Sequence, residues 1–316
     1  MKPSDMKRIA AIALDVRRSG SVFAATTYGT TLSGPDGGYA VPVDAAKAIL
    51  MPETGALLPH CRQIPLTQGN SIGLPLDMST PYGTDSGIVA AWESEGADLP
   101  QRRPELDMTQ FVLKKLVALV PVTDELLEDS DAFAAWLPIA MQSAANRKVN
   151  DAIISGTGAG LPLGILNSDS RIVVAKAPGQ AAGTILSDNL ADMLARSLDP
   201  LGSVWIANTG AYGQLTELDG FDSASQTLRG LPIMLTDSCP AIGAEGDLIL
   251  GNLGTGYLAV LKNPQLHSSA HLWFDQATSA FRLTFRMDGM PMLAEAITPP
   301  NSSVTKSHFV VLEARS

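Results

Sequence analysis

The chain has 316 residues, 22 Lys and Arg against 32 Asp and Glu for a formal net charge of −10, and 45% hydrophobic but only 17% charged residues. That length buries a sizeable core without disulfide or metal staples, the balance of apolar to charged residues excludes disorder throughout, and an acidic excess is unsuited to coating nucleic acid. No window approaches the ~18–20 uninterrupted apolar residues of a membrane span, and low charge with many apolar residues suits a protein that hides its surface against copies of itself.

Near the N-terminus, Lys7 and Arg8 precede the apolar run Ile9–Leu14. The run is too short for a secretory core and meets Asp15, Arg17 and Arg18 at once. The spacing predicts an amphipathic helix with Ile9, Ala13 and Val16 on one stripe. Lys2, Lys7, Arg8, Arg17 and Arg18 against Asp5 and Asp15 give this segment +3, which leaves −13 on the rest. Such a patch is either a solvated helix face or an arm that docks on an acidic neighbour or nucleic acid. Residues 19–38 are rich in Gly, Ser and Thr and read as a flexible arm. A short strand at Ala40–Val43 and a short helix at Ala45–Leu50 follow.

Residues 62–110, with repeated Gly and Pro and alternating pieces such as Ser71-Ile72-Gly73-Leu74, predict a long β-hairpin outside the core. An excursion of that length is normally functional or partner-bound. Phe111–Val122 is an apolar strand with Lys114-Lys115 at its centre, and Thr123–Leu127 a capped helical turn. Phe133, Trp136, Leu137, Ala140, Met141, Ala144, Ala145, Val149, Ala152 and Ile153 then keep helical spacing over some 20 residues, about 30 Å. Ser130 or Asp131 caps this helix and Gly156 stops it. Pro138 means that the helix starts near Leu137 or kinks there.

The glycine-rich run Gly156–Leu166 lacks a Gly-Lys-Ser/Thr ending and follows a helix, so its glycines read as tight turns, not a phosphate cradle. Beyond it, helices open at Ser187 and Thr209, and strands are expected at Val204–Ala207, Leu231–Leu235, Leu248–Leu250 and Tyr257–Leu261. Phe281–Met287 alternates, is expected to turn at Asp288-Gly289 and returns through Met292 to Ile297. Val304–Leu312 is a final strand. The layout is α+β. Cys61 and Cys239, without CxxC spacing, read as free thiols. His267 and His271, with no further ligands apparent, read as polar loop or strand histidines. No catalytic, cofactor or metal constellation emerges. A hydrolase using Ser155 or Asp151 is the enzymatic alternative, without a GxSxG or HExxH motif behind it.

Four segments in this order resemble the major capsid protein of tailed bacteriophages with the Hong Kong 97 fold. They are Gly37–Pro42; Trp92-Glu93-Ser94-Glu95-Gly96 followed by Phe111–Val122 and Glu125–Ser130; the long helix with Ile154–Gly158 and Pro162–Leu166; and Phe285–Gly289 with Ala294-Glu295-Ala296. The resemblance implies an N-terminal arm (1–38), the start of a peripheral domain (39–61), an extended loop (62–110), the peripheral domain with its spine helix (111–179), an axial domain (180–290) and a return to the peripheral domain (291–316). It implies a structural protein, not an enzyme, self-assembling into pentamers and hexamers of an icosahedral head around double-stranded DNA. A nanocompartment shell enclosing cargo enzymes is the alternative on the same fold. The expected partners are copies of itself, a scaffolding protein, a portal and a decoration protein, with DNA contacted weakly and no membrane or cofactor. Its expected place is the virion capsid, assembled in the host cytoplasm. Only about 36 residues precede Gly37, so scaffolding is expected from a separate protein or from a segment removed before Met1. Trp92, Glu93, Glu95, Asp98, Arg102, Arg103 and Glu105 are the candidate inter-subunit contacts.

Some members of that family join a loop lysine covalently to an asparagine of a neighbour. Here no Lys stands between Lys47 and Lys114, so the loop lacks the amine. Boiled, reduced particles are expected to run as a single monomer band on a denaturing gel; a resistant ladder of multimers would overturn this.

Overall fold

A computed structural model describes residues 56–77, 92, 106–129, 131–299 and 301–315. The expected arm, the elements at 40–50 and most of the loop at 78–105 lie outside the described residues. The chain divides into two compact units.

The first unit takes residues 115–148 and 263–286. Strand β4 (Lys114–Thr123) alternates, with Ala118, Val120 and Val122 on its core face and Lys115, Val117 and Leu119 on the other. Two helices follow, α1 (Asp124–Asp129) and α2 (Asp131–Ser155), with α2 from Val149 on belonging to the second unit. Phe133, Leu137 and Met141, four apart along α2, pack with Val122, Leu126, Leu127, Phe281 and Leu283. This packing holds the turn before Pro138 helical, so α2 starts at Asp131 and runs through the proline. It does not start near Leu137.

The second unit holds most of the chain. Its seven-stranded sheet runs in the order β5-β13-β10-β6-β9-β8-β7, where β5 is Ile172–Val174, β6 Val204–Ala207, β7 Phe221–Asp222, β8 Thr227–Leu228, β9 Leu231–Leu235, β10 Leu248–Gly251 and β13 Phe309–Leu312. β10 is antiparallel to β6 and β13, while β6 pairs parallel with β9 and β13 with β5. Strands β10 and β13 are buried along their whole length, which explains their unbroken apolar sequences. Helix α3 (Ser187–Arg196) lays Leu190 and Met193 on Trp205, Leu248 and Leu312, and the Trp205 indole donates to the Leu228 carbonyl at 3.0 Å. Helix α4 (Tyr212–Glu217) adds Leu215 to the same core.

A four-stranded sheet has the order β1-β11-β12-β4, with β1 at Arg62–Pro65, β11 at Tyr257–Trp273 and β12 at Thr278–Pro291; a one-turn helix, α5 (Leu253–Gly256), leads into β11. Residues 180–290 therefore supply both sheets, and the seven-stranded one also draws β5 and β13 from outside that range. β1 pairs parallel with β11, so the near end of the expected loop is part of this sheet.

The α+β class stands, but three expectations are corrected. The strand expected at Tyr257–Leu261 continues to Trp273. The final strand is only Phe309–Leu312, with Lys306 and Ser307 making isolated bridges before it. Asp288-Gly289 is not a turn, because β12 runs straight through it. Gly289 is there for close approach: a Cβ would lie 2.9 Å from both the Leu258 carbonyl oxygen and the Tyr257 ring.

Arg315 and Asp247 form a fully buried ion pair. The Arg315 N–H also donates to the Gly243 carbonyl at 2.7 Å, its carbonyl accepts from Gly183 at 2.9 Å, and Asp247 accepts from the Gly243 N–H at 2.9 Å. Removing one partner strands a buried charge. Arg315→Ala is therefore expected to lower the unfolding free energy by about 3–5 kcal/mol in a urea melt, and Asp247→Leu/Arg315→Leu to recover most of it. A single-variant loss under about 1 kcal/mol would overturn this.

Candidate functional site

Strands β2 (Ser71–Asp77) and β3 (Leu106–Val112) form an antiparallel ribbon apart from both sheets, in the register Ser71↔Val112 through Asp77↔Leu106. Directly paired residues share a face. One face carries Ile72, Leu74 and Phe111, which pack on Leu258, Val260, Met290 and Met292 of the second unit. The other carries Leu106, Met108 and Val112, which are 66%, 67% and 43% exposed, beside Pro75 and Gly73. A two-stranded ribbon is marginal alone and lives on its packed face. Leu106, Met108 and Val112 thus leave an exposed apolar stripe on a face that also carries Ser71, Gln110 and Asp77.

The ribbon's root is polar. Asp288 Oδ2 accepts the Val112 N–H at 2.9 Å and the Lys114 ammonium at 3.0 Å, and Asp288 Oδ1 accepts the Gly289 N–H at 3.0 Å. Across the root, the Leu113 N–H donates to the Asn70 carbonyl at 2.9 Å and Asn70 Nδ2 donates back to Leu113 O at 3.3 Å. Lys114 drew notice in the sequence as a charge inside an apolar strand. Asp288 was visible only as half of a turn dipeptide.

Of the contact residues expected from sequence, Trp92 is described, and it is fully exposed at 105%. Glu93, Glu95, Asp98, Arg102, Arg103 and Glu105, and the basic patch of Lys2, Lys7, Arg8, Arg17 and Arg18, lie outside the described residues. Sequence reasoning missed the exposed Leu106 and Met108; strict alternation from Phe111 backwards was the available signal.

The reactive side chains are spent on the fold. Among the described residues no three His, Cys, Asp or Glu gather as a metal site. Cys61 and Cys239 are free and buried, and burial pushes both thiols up to about 12. Burial also pushes the Tyr257 phenol up, and its hydroxyl donates to Leu163 O at 2.9 Å. Ser155 Oγ donates to the Asp151 backbone carbonyl at 3.0 Å, which turns the hydroxyl of the enzymatic alternative onto its own helix. Gly158 and Gly160 sit at φ +78° and +77°, so the glycine-rich run is built as tight turns. His267 and His271 lie exposed on β11, as strand residues.

A model of the phage capsid family matches residues 37–302 of the chain. No curated protein matches it in sequence. The fold is similar to the capsid of an empty GTA particle, with 20% identity and a TM-score of 0.67 over 91% of this chain and 99% of that one. It is also similar to Microbacterium phage Oxtober96, at 16% and 0.59 over 90% and 99% of the two chains. The capsid structure of the cyanophage P-SCSP1u gives 13% and 0.54 over 94% and 100%.

His308 is half-buried, and burial holds its imidazole below the ordinary value of 6.5, partly offset by Asp199. The unfolded chain therefore takes up the proton first. The stability this histidine leaves intact above 6.5 is lost as pH falls from there through its lower folded value. His308→Gln is expected to reduce the drop in urea midpoint between about pH 7.5 and about pH 5; equal drops in both proteins would overturn this.

Proposed function

The chain belongs to the phage capsid family, and we propose that it is the major capsid protein of a tailed phage, building the pentamers and hexamers of an icosahedral head around double-stranded DNA. Its role is structural, and its place is the virion capsid. The match of the family model over residues 37–302 carries this reading.

In this reading α2, 25 residues and about 37 Å long, is the spine helix of a peripheral domain. The seven-stranded sheet is the core of the axial domain. The ribbon β2–β3 is the root of the extended loop, and the apolar stripe of Leu106, Met108 and Val112 is covered by a neighbouring copy. Full burial of such side chains contributes about 1.5–3 kcal/mol each, the order needed to hold an otherwise marginal ribbon. Closed shells set identical chains in several slightly different environments, and loops absorb the differences while cores stay rigid. Arg102 and Arg103 pair with carboxylates of an adjacent copy, since arginine suits interface ion pairs. The −13 body keeps contact with packaged DNA weak, and the basic patch at 1–18 is its exception. A separate scaffolding protein, a portal and a decoration protein complete the assembly, which forms in the host cytoplasm. The nanocompartment alternative has no specific observation in its favour.

Purified protein is expected to form multi-megadalton particles in light scattering and negative stain, with nucleic acid inside those made during infection. Arg102→Glu/Arg103→Glu is expected to lower particle yield. A stable monomer under all assembly conditions would overturn the capsid role, particles holding protein cargo and no nucleic acid would replace the phage head, and unchanged yield would remove the arginine pairing.

A further inference from the structure

The chain crosses the root of the β2–β3 ribbon twice at one level: outward at Gly69-Asn70, and back at Leu113, the single residue between β3 and β4. Gly69 is at φ +74°, a setting that favours glycine and lets the outgoing strand change direction abruptly. Leu113 and Asn70 bind one another by the two hydrogen bonds described above. On either side of Leu113, the Val112 N–H and the Lys114 ammonium converge on the same oxygen of Asp288. The pivot is thus flanked by two donors fastened to one carboxylate.

The seat beneath the ribbon has a different character. It is apolar and includes Met290 and Met292, whose unbranched side chains repack readily. Apolar contact is non-directional, whereas hydrogen bonds weaken steeply as they bend. The seat therefore admits several ribbon angles, and the carboxylate selects one. The position is also tied onward. The neighbouring Gly289 carbonyl accepts the Leu163 N–H at 2.8 Å, in the turn that follows α2, and Leu163 O accepts the Tyr257 hydroxyl.

We infer that Asp288 is the latch of a hinge at Leu113, setting the angle of the β2–β3 ribbon on the second unit and linking that angle to the turn after α2. The inference goes beyond the capsid role and stands on the geometry alone, whatever covers the ribbon's outer face. An asparagine at 288 that turns its amide oxygen to both donors sets its NH2 against the Gly289 N–H that Oδ1 now accepts, and it carries no charge to hold the ammonium. Lys114→Met changes a partly exposed residue and leaves Asp288 its Val112 and Gly289 N–H partners, so it is the milder of the two variants. Arg171→Met, which breaks the distant surface pair with Glu245, is the control.

The test is amide hydrogen exchange on the full chain before assembly. Asp288→Asn and Lys114→Met are expected to speed exchange across residues 71–77 and 106–112 by about tenfold, with β6, β10 and β13 unchanged and Arg171→Met like wild type. Unchanged ribbon exchange in Lys114→Met would overturn the latch. So would an equal acceleration in the seven-stranded sheet, which marks general destabilisation instead of a hinge.

Discussion

A ribbon of two strands has two faces and can cover only one of them with its own chain. Everything distinctive about this protein follows from how β2 and β3 meet that constraint. Ile72, Leu74 and Phe111 take the covered face. Leu106, Met108 and Val112 are left outside, on a ribbon whose own hydrogen-bond ladder is too small to hold it. Solubility argues against such a stripe, and assembly argues for it. The low charge density of the whole chain has the same sense: surface that is to be buried against copies need not be made charged.

The rest of the second unit supplies a rigid platform. Its seven-stranded sheet has continuous apolar strands at its centre, a buried tryptophan with its indole satisfied, and an ion pair sealed from water. A sealed pair of this type is weak evidence for stability, although either charge left alone is costly. The titratable groups fit the same picture. Thiols and phenol are pushed by burial away from reactivity, as befits a protein whose work is to hold shape.

Much of this architecture is legible in the sequence, and the reasons are local. β6 and β9 stand at the residues that their apolar runs predict, and α2 follows from a 3.6-residue period. What is illegible depends on distant partners. The outer half of β11 is polar, with His267, Ser269 and His271 exposed, so nothing in the sequence extends the strand beyond Leu261. Asp288-Gly289 has the composition of a turn. Its actual setting is fixed by Val112, 176 residues earlier, and by the carbonyl of Leu258. Alternation back from Phe111 sets Leu106 and Met108 on the opposite face, but which of the two faces is covered depends on Leu258 and Val260, far along the chain. The ion-pair candidates in that loop and the basic arm fall outside the described residues, and of the contact residues expected from sequence Trp92 alone is described.

The single residue between β3 and β4 also bears on how such a chain can change over generations. Side chains alternate along a strand, so one residue inserted at Leu113 would reverse β4 relative to β3, setting the core face of Ala118, Val120 and Val122 against that of Phe111. Length changes between Asp77 and Leu106 leave that alternation untouched, because the register there is set on the ribbon side of the pivot. By this geometry a change of length between Asp77 and Leu106 costs the fold less than one at the junction, so the single residue Leu113 is where the ribbon and the core strand constrain each other.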